Sequence, residues 1–307
     1  VHVNENTQSI FPPDVHAVMD HGKRDVSRFP IATGVYYKHD YSEGVDISRY
    51  KNIPVPTSFM AEHSNYDFLG GYDYGKKAGI LHVADHHISP GKKQWTWGCG
   101  DFGKAWDRNL TDDDGPYVEL MVGVYTDNQP DFSWLKPFEE KTFDQYFMPY
   151  KAVGQVKNAT IDAVVNMEAR EDGVYACVYA TDEYKEAKII IKNKDSVVAN
   201  ETATISPVQV FEKTFNIPFE KETDLSIEVY DNDNNLLVSY APEEKKIEKM
   251  PEPAKAAKDP KEIMTNEELY LTGLHIEQYR HATYEPDDYY LEGLKRDEGD
   301  IRINNAY

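Results

Sequence analysis

Basic residues are in short supply in this chain. Its 307 residues hold 33 lysines and arginines against 54 aspartates and glutamates, a net charge of −21. Nucleic acids and anionic membranes recruit basic surfaces, so this balance argues against both as partners and suits a neutral or cationic one. Cysteine is nearly absent. Cys99 and Cys177 lie far apart and make no disulfide framework, which leaves the compartment open. No apolar run is long enough to span a bilayer, and no basic-then-apolar leader opens the chain. Val1 and Val3 already belong to an alternating pattern with no preceding Met, so the chain is expected to be a piece of a longer product, and the missing leader says nothing about export. The sequons at Asn158 and Asn200 are short enough to arise by chance.

Alternating apolar residues dominate what is present. Residues 1–155 read as β-rich, with runs at Ile31–Tyr37, Ile80–Val83, Tyr117–Tyr125 and Thr142–Phe147 separated by turn-rich loops. Residues 156–241 show more closely spaced runs: Ala159–Ala169, Gly173–Ala180, Ala187–Ile191, Val208–Ile217 and Leu225–Tyr230. Turns are signalled at Glu171-Asp172-Gly173 and Asp231–Asn235, a pattern expected of a small immunoglobulin-like β-sandwich. The Asp231–Asn235 run lacks the Gly and distal Glu of a calcium loop, so it reads as a hairpin turn. Residues 242–262, rich in Pro, Ala, Lys and Glu, form a linker. From 263 to 307 the period becomes helical, with Thr265 or Asn266 as the cap, then Leu269, Leu271, Leu274, Ile276 and Tyr279. A second helix follows Pro286, carrying Tyr290, Leu291 and Leu294.

Three sets of residues can carry chemistry. Glu119 is the only charge between Tyr117 and Tyr125, and a carboxylate on an apolar strand faces either solvent or a polar cavity. Trp95, Trp97 and Trp106 crowd into a Gly-rich stretch beside Asp107 and Arg108. Indoles can stack on the C–H faces of sugars while the charged pair holds hydroxyls, or they can simply plug the end of a β-sandwich. His82-Val83-Ala84-Asp85-His86-His87 offers imidazoles, with His82 and His86 expected on one strand face and Asp85 and His87 on the other. That spacing is weak for a metal, and hydrogen bonding to sugar or backbone suits His82 and His86 better. No metal or cofactor is expected.

Glu119, Pro130-Asp131, Leu135-x-Pro137-x-Glu139 and Thr142–Phe147, in that order, resemble the C-terminal part of the galactose mutarotase-like (aldose 1-epimerase) superfamily. The block from His82 through Tyr150 resembles, more narrowly, the bacterial domain of unknown function of DUF5107 type that is fused to tetratricopeptide repeats. Tyr290-x-x-Gly293-Leu294-x-x-Asp297 resembles the second helix of such a repeat, with Glu298 in place of the usual closing Pro. The resemblance implies a mainly β chain with a C-terminal helical segment. Residues 1–155 would be the C-terminal half of a mutarotase-like β-supersandwich whose other half lies upstream, and residues 263–307 the start of a tetratricopeptide-like hairpin that further helices follow. It implies a sugar cleft with Glu119 as base. The acid would be an early histidine, for which His2 is the nearest candidate and His16 and His21 are weaker ones. Glycoside hydrolysis would instead pair Glu119 with Asp107, Asp127 or Asp131. The expected substrate-binding residues are His82, His86, Trp95, Trp97, Trp106, Asp107, Arg108, Asp127 and Asp131. The alternative is a non-catalytic scaffold whose helices bind another protein.

Overall fold

A computed structural model describes residues 1–110, 113–125, 135–244, 249–279 and 283–307. The chain is mainly β, with a few helices towards its C-terminus. Two antiparallel sheets come first. One orders Thr7–Ile10, Phe68–Asp73, Ala78–Val83 and Tyr146–Lys151. The other orders Val118–Gly123, Gly91–Thr96, Thr57–Ala61, Ala17–Met19 and Val26–Arg28. Their facing residues form one core, in which Leu69 of the first sheet joins Phe59, Ala61, Leu120 and Val122 of the second.

Two further sheets follow. Asn158–Ala159, Ala163–Arg170, Gly173–Ala180 and Phe211–Phe215 make one; Ser196–Ile205, Tyr184–Asn193, Leu225–Tyr230 and Leu236–Tyr240 make the other. Gly173–Ala180 is buried along its whole length, and strand alternation explains how. Val174, Ala176, Val178 and Ala180 point into the core shared with Ile189, Ile191, Ile227 and Val229. Tyr175, Cys177 and Tyr179 point the other way, into a core completed by Phe68, Leu81, Met148 and Tyr150 of the first half. Asn166 Nδ2 also donates to the Val153 carbonyl at 3.2 Å across this junction. Full burial of each such side chain contributes about 1.5–3 kcal/mol, so the two β units stabilise each other.

Several expected elements shift. Ile31–Tyr37 is two short pieces, Ile31–Ala32 and Val35–Tyr36, and the Thr142–Phe147 run becomes a strand only at Tyr146, continuing to Lys151. Thr7–Ile10 and Ser196–Ile205 went unanticipated because their polar residues hide the alternation. Asp231 Oδ1 accepts the backbone N–H groups of Asp233 and Asn235, which makes that run an ordinary side-chain-braced turn. Within the expected linker, the Ala254 N–H donates to the Lys23 carbonyl and Ala257 packs on the helical core.

The helices are Asn266–Tyr279, Pro286–Arg296 and Ile301–Ala306. Thr265 Oγ1 accepts the Glu268 N–H and Asp300 accepts those of Arg302 and Ile303, so each outer helix has a side-chain cap. Ile263, Leu269, Ile276 and Tyr289 form their core, whereas Leu271 and Leu291, both expected inside, are half exposed. Among the described residues no helix is long and apolar enough to cross a membrane.

Candidate functional site

Strand register builds the site. Glu119 stands directly opposite Trp95 on neighbouring antiparallel strands, and Trp95 stands opposite Ser58. Continuing the same register sets Trp97 beside Tyr117, where the indole Nε1 donates to the Tyr117 hydroxyl at 3.2 Å. The chain's first residues extend the edge, since His2 bridges Tyr117 and the Val3 N–H donates to the Pro116 carbonyl. Alternation then puts His2, Tyr117, Glu119, Trp95 and Trp97 on one face, with His2 diagonal to Glu119 at a Cα spacing of about 7–8 Å. Glu119 and His2 are exposed, and Trp95 and Trp97 are half-buried.

Trp106 joins them from the Asp101–Leu110 helix, in a stretch that reads as loop in the sequence. Its ring stacks on Trp97 with centroids 4.8 Å apart and planes at 8°, while Trp97 meets Trp95 edge-on at 4.6 Å. The glycines here serve backbone packing rather than approach to a ligand. Gly98 has φ +82°, and a Cβ on it would lie 2.7 Å from the Val55 carbonyl oxygen. A Cβ on Gly103 would lie 2.1 Å from the Gly98 oxygen. With both hydrogens in place, the helix folds back onto the strand end and carries Trp106 to Trp97.

Two basic side chains neighbour Glu119. Burial lowers the Lys93 ammonium, and Glu119 opposes that shift. Burial also lowers His21, with Lys93 adding to the effect and Asp20 and Glu119 opposing it. Lys93 therefore lies near Glu119, as does His21, which the sequence ranked below His2. Lys93 also shares a strand face with Trp95.

Other expected residues fall elsewhere. Asp107 is buried and, with Arg108, lines a cavity of about 520 Å³ together with Tyr50, Lys51 and Cys99; neither Glu119 nor an indole lines it. Burial raises the Asp107 carboxyl, and Arg108 partly offsets this. The shared strand face expected for His82 and His86 is not there, because the strand stops at Val83 and His86 sits in the turn beyond. His86 Nδ1 is 2.7 Å from Asp67 Oδ1, while His87 Nδ1 is 3.0 Å from Asp85 Oδ1. Asp85, His86 and His87 bring donor atoms within 4.8 Å of one another, a grouping of adjacent residues in a largely exposed turn. His82 lies between the first two sheets, 7% exposed, on the opposite side of the second sheet from the indoles. Asp127 and Asp131 lie outside the described residues.

Lys92 and Gln94 were missed altogether, although a signal existed. Lys92-Lys93-Gln94 is a polar run on a strand, and alternation cannot send all three to solvent. Lys92 and Gln94 face inward and are each 1% exposed.

Fold and site are those of a β-rich protein with an aromatic, carboxylate-bearing sheet face. The model for the domain of unknown function DUF5107 matches residues 1–156, half of the chain, and the chain belongs to that family. Residues 158–240 match the second domain of YphG-like proteins. Among solved structures, a TPR-domain-containing protein from Parabacteroides distasonis ATCC 8503 is 24% identical, with a TM-score of 0.38. The match covers 48% of this chain and 23% of that one, so the chain spans under a quarter of its length.

Proposed function

We propose that the DUF5107 unit binds carbohydrate on the face that carries Glu119 and the indoles, and that the unit is half of a mutarotase-like β-supersandwich. One observation carries the reading: a carboxylate paired across the strands with one indole, beside two stacked indoles of which Trp106 is 38% exposed. Exposed indoles offer a flat apolar surface to sugar C–H groups with few rotors to freeze. Glu119 accepts hydrogen bonds from hydroxyls and can take a proton from one. His2, on the same face, and His21, near Glu119, are the groups placed to return it.

The test is a glycan array followed by titration of the hits with Trp106→Ala. Loss of the stacking platform should weaken binding by roughly tenfold or more. An empty array, or hits indifferent to Trp106, would leave the second reading. In that reading residues 156–241 are an immunoglobulin-like spacer, and the helices open a tetratricopeptide-type array that binds protein. Leu271, Leu291 and Ile301, exposed on helices whose other faces are packed, favour it.

A further inference from the structure

Three polar side chains sit between the first two sheets with nothing to bond to among the described residues. Lys92 is 1% exposed, Gln94 1% and His82 7%. Among the described residues, the Lys92 ammonium, both imidazole nitrogens of His82 and both amide atoms of Gln94 are buried without a hydrogen-bond partner. Register shows that they point into the same layer between the sheets. Lys92 lies opposite Val122, and Gln94 opposite Phe59 and Leu120. His82 lies opposite Leu69, and Leu69, Phe59, Leu120 and Val122 share the inter-sheet core. The Lys92 charge is felt by His82, which confirms their proximity.

Leaving a buried ammonium unpaired costs several kcal/mol, and each unsatisfied amide or imidazole adds to that. The carboxylates felt by Lys92 are Asp67 and Asp14. Both are engaged elsewhere: Asp67 with the His86 ring and N–H, Asp14 with Ser64 Oγ and the Asn65 N–H. A buried cation with two donor-bearing neighbours and no carboxylate bound to it among the described residues is complementary to a small monoanion.

We infer that Lys92, Gln94 and His82 form an internal binding site for the carboxylate of a small organic acid. The Lys92 ammonium pairs with one carboxylate oxygen, and the Gln94 amide and the His82 N–H donate to the pair. The site is separate from the indole face, because Lys92 and Gln94 lie on the opposite side of the strand from Lys93 and Trp95.

The experiment is thermal unfolding of the whole chain in increasing sodium acetate and, separately, sodium glucuronate, against sodium chloride and sodium phosphate at equal ionic strength. Above the Kd, each tenfold rise in a bound carboxylate should lift the midpoint by roughly 2–4 °C, and chloride and phosphate should not. A response to acetate places the site's requirement in the carboxylate alone; a response to glucuronate only assigns it to acidic sugars. Lys92→Met keeps the length and removes the charge, so it should unfold no earlier than the parent without ligand and lose the response. Gln94→Leu keeps the ammonium and should weaken the response about tenfold, which decides the matter even if Lys92→Met fails to fold. Trp97→Ala should leave the response intact, which separates this site from the sugar face. No carboxylate-specific shift, or a shift that survives in Gln94→Leu undiminished, would overturn the assignment.

Discussion

Gly103 and Gly98 touch backbone to backbone. A Cβ on Gly103 would stand 2.1 Å from the Gly98 oxygen and 2.6 Å from that of Trp97, and both are backbone atoms rather than the ends of flexible side chains. The contact holds the helix carrying Trp106 against the strand end carrying Trp97. Gly103→Ala should therefore cost about 1–3 kcal/mol through overpacking and should part the two indoles. Urea unfolding measures the first effect, and near-UV circular dichroism of the coupled indoles the second. An unchanged near-UV spectrum would mean that the stack does not depend on this contact.

The sharing of Gly173–Ala180 between two cores predicts how the β units unfold. Cys177 is fully buried at the junction with Phe68 and Met148, and burial pushes its thiol up to about 12. A thiolate is the reactive form, so a disulfide reagent should label Cys99 in the native protein and reach Cys177 only when the junction opens. Met148→Ala, made in the first unit, should lower stability by about 2–5 kcal/mol and speed labelling of Cys177 in the second. Labelling of Cys177 at an unchanged rate would show that the units open independently.

How much of this was legible in the sequence follows from what alternation can and cannot show. Leu225–Tyr230 and Gly173–Ala180 are strands with the bounds read from the pattern, because their apolar residues recur without interruption. Even there, period two could not say that Tyr175, Cys177 and Tyr179 look into a different core from Val174 and Val178. The Asp101–Leu110 helix was missed because Gly103 reads as a loop residue, and its purpose, contact with Gly98, is non-local. Glu119 and the indoles were legible as a group through their exceptional residue types, but the pairing of Glu119 with Trp95 is a matter of register. Lys92 and Gln94 went unread because no strand was expected at Gly91–Thr96, and nothing local distinguishes the inward from the outward member of a polar run.

Burial, reinforced by the charge on Lys92, holds the His82 imidazole down at about 4, against 6.5 unperturbed. Between those values the unfolded chain binds a proton that the folded chain refuses. Proton linkage at His82 therefore costs nothing above pH about 6.5, and stability falls as pH drops from there towards about 4, by about 3 kcal/mol in all. His82→Gln has no such proton to bind. Urea midpoints at neutral and acid pH should differ by less for the variant than for the parent, and carboxylates that titrate in the same range are common to both. Parallel pH profiles would show that His82 is solvated in the folded protein.

Glu119→Gln separates proton transfer from binding at the proposed sugar face. The amide keeps the shape of the carboxylate and one acceptor, so affinity for a bound glycan should change by no more than about 1–3 kcal/mol. Anomer interconversion or hydrolysis, followed on the same glycan by NMR, should fall roughly 10²–10⁴-fold, the usual worth of a positioned base. Trp97→Ala should do the opposite. Its ring packs on both Trp95 and Trp106, so truncation removes the platform and weakens binding, with less effect on the chemical step of bound sugar. His2→Gln and His21→Gln then identify the acid, because only the group that returns the proton should match the rate loss of Glu119→Gln. Binding that falls equally in all four variants, with no interconversion in the parent, would make the face a sugar-binding surface alone. Turnover that survives Glu119→Gln would remove this carboxylate from the chemistry.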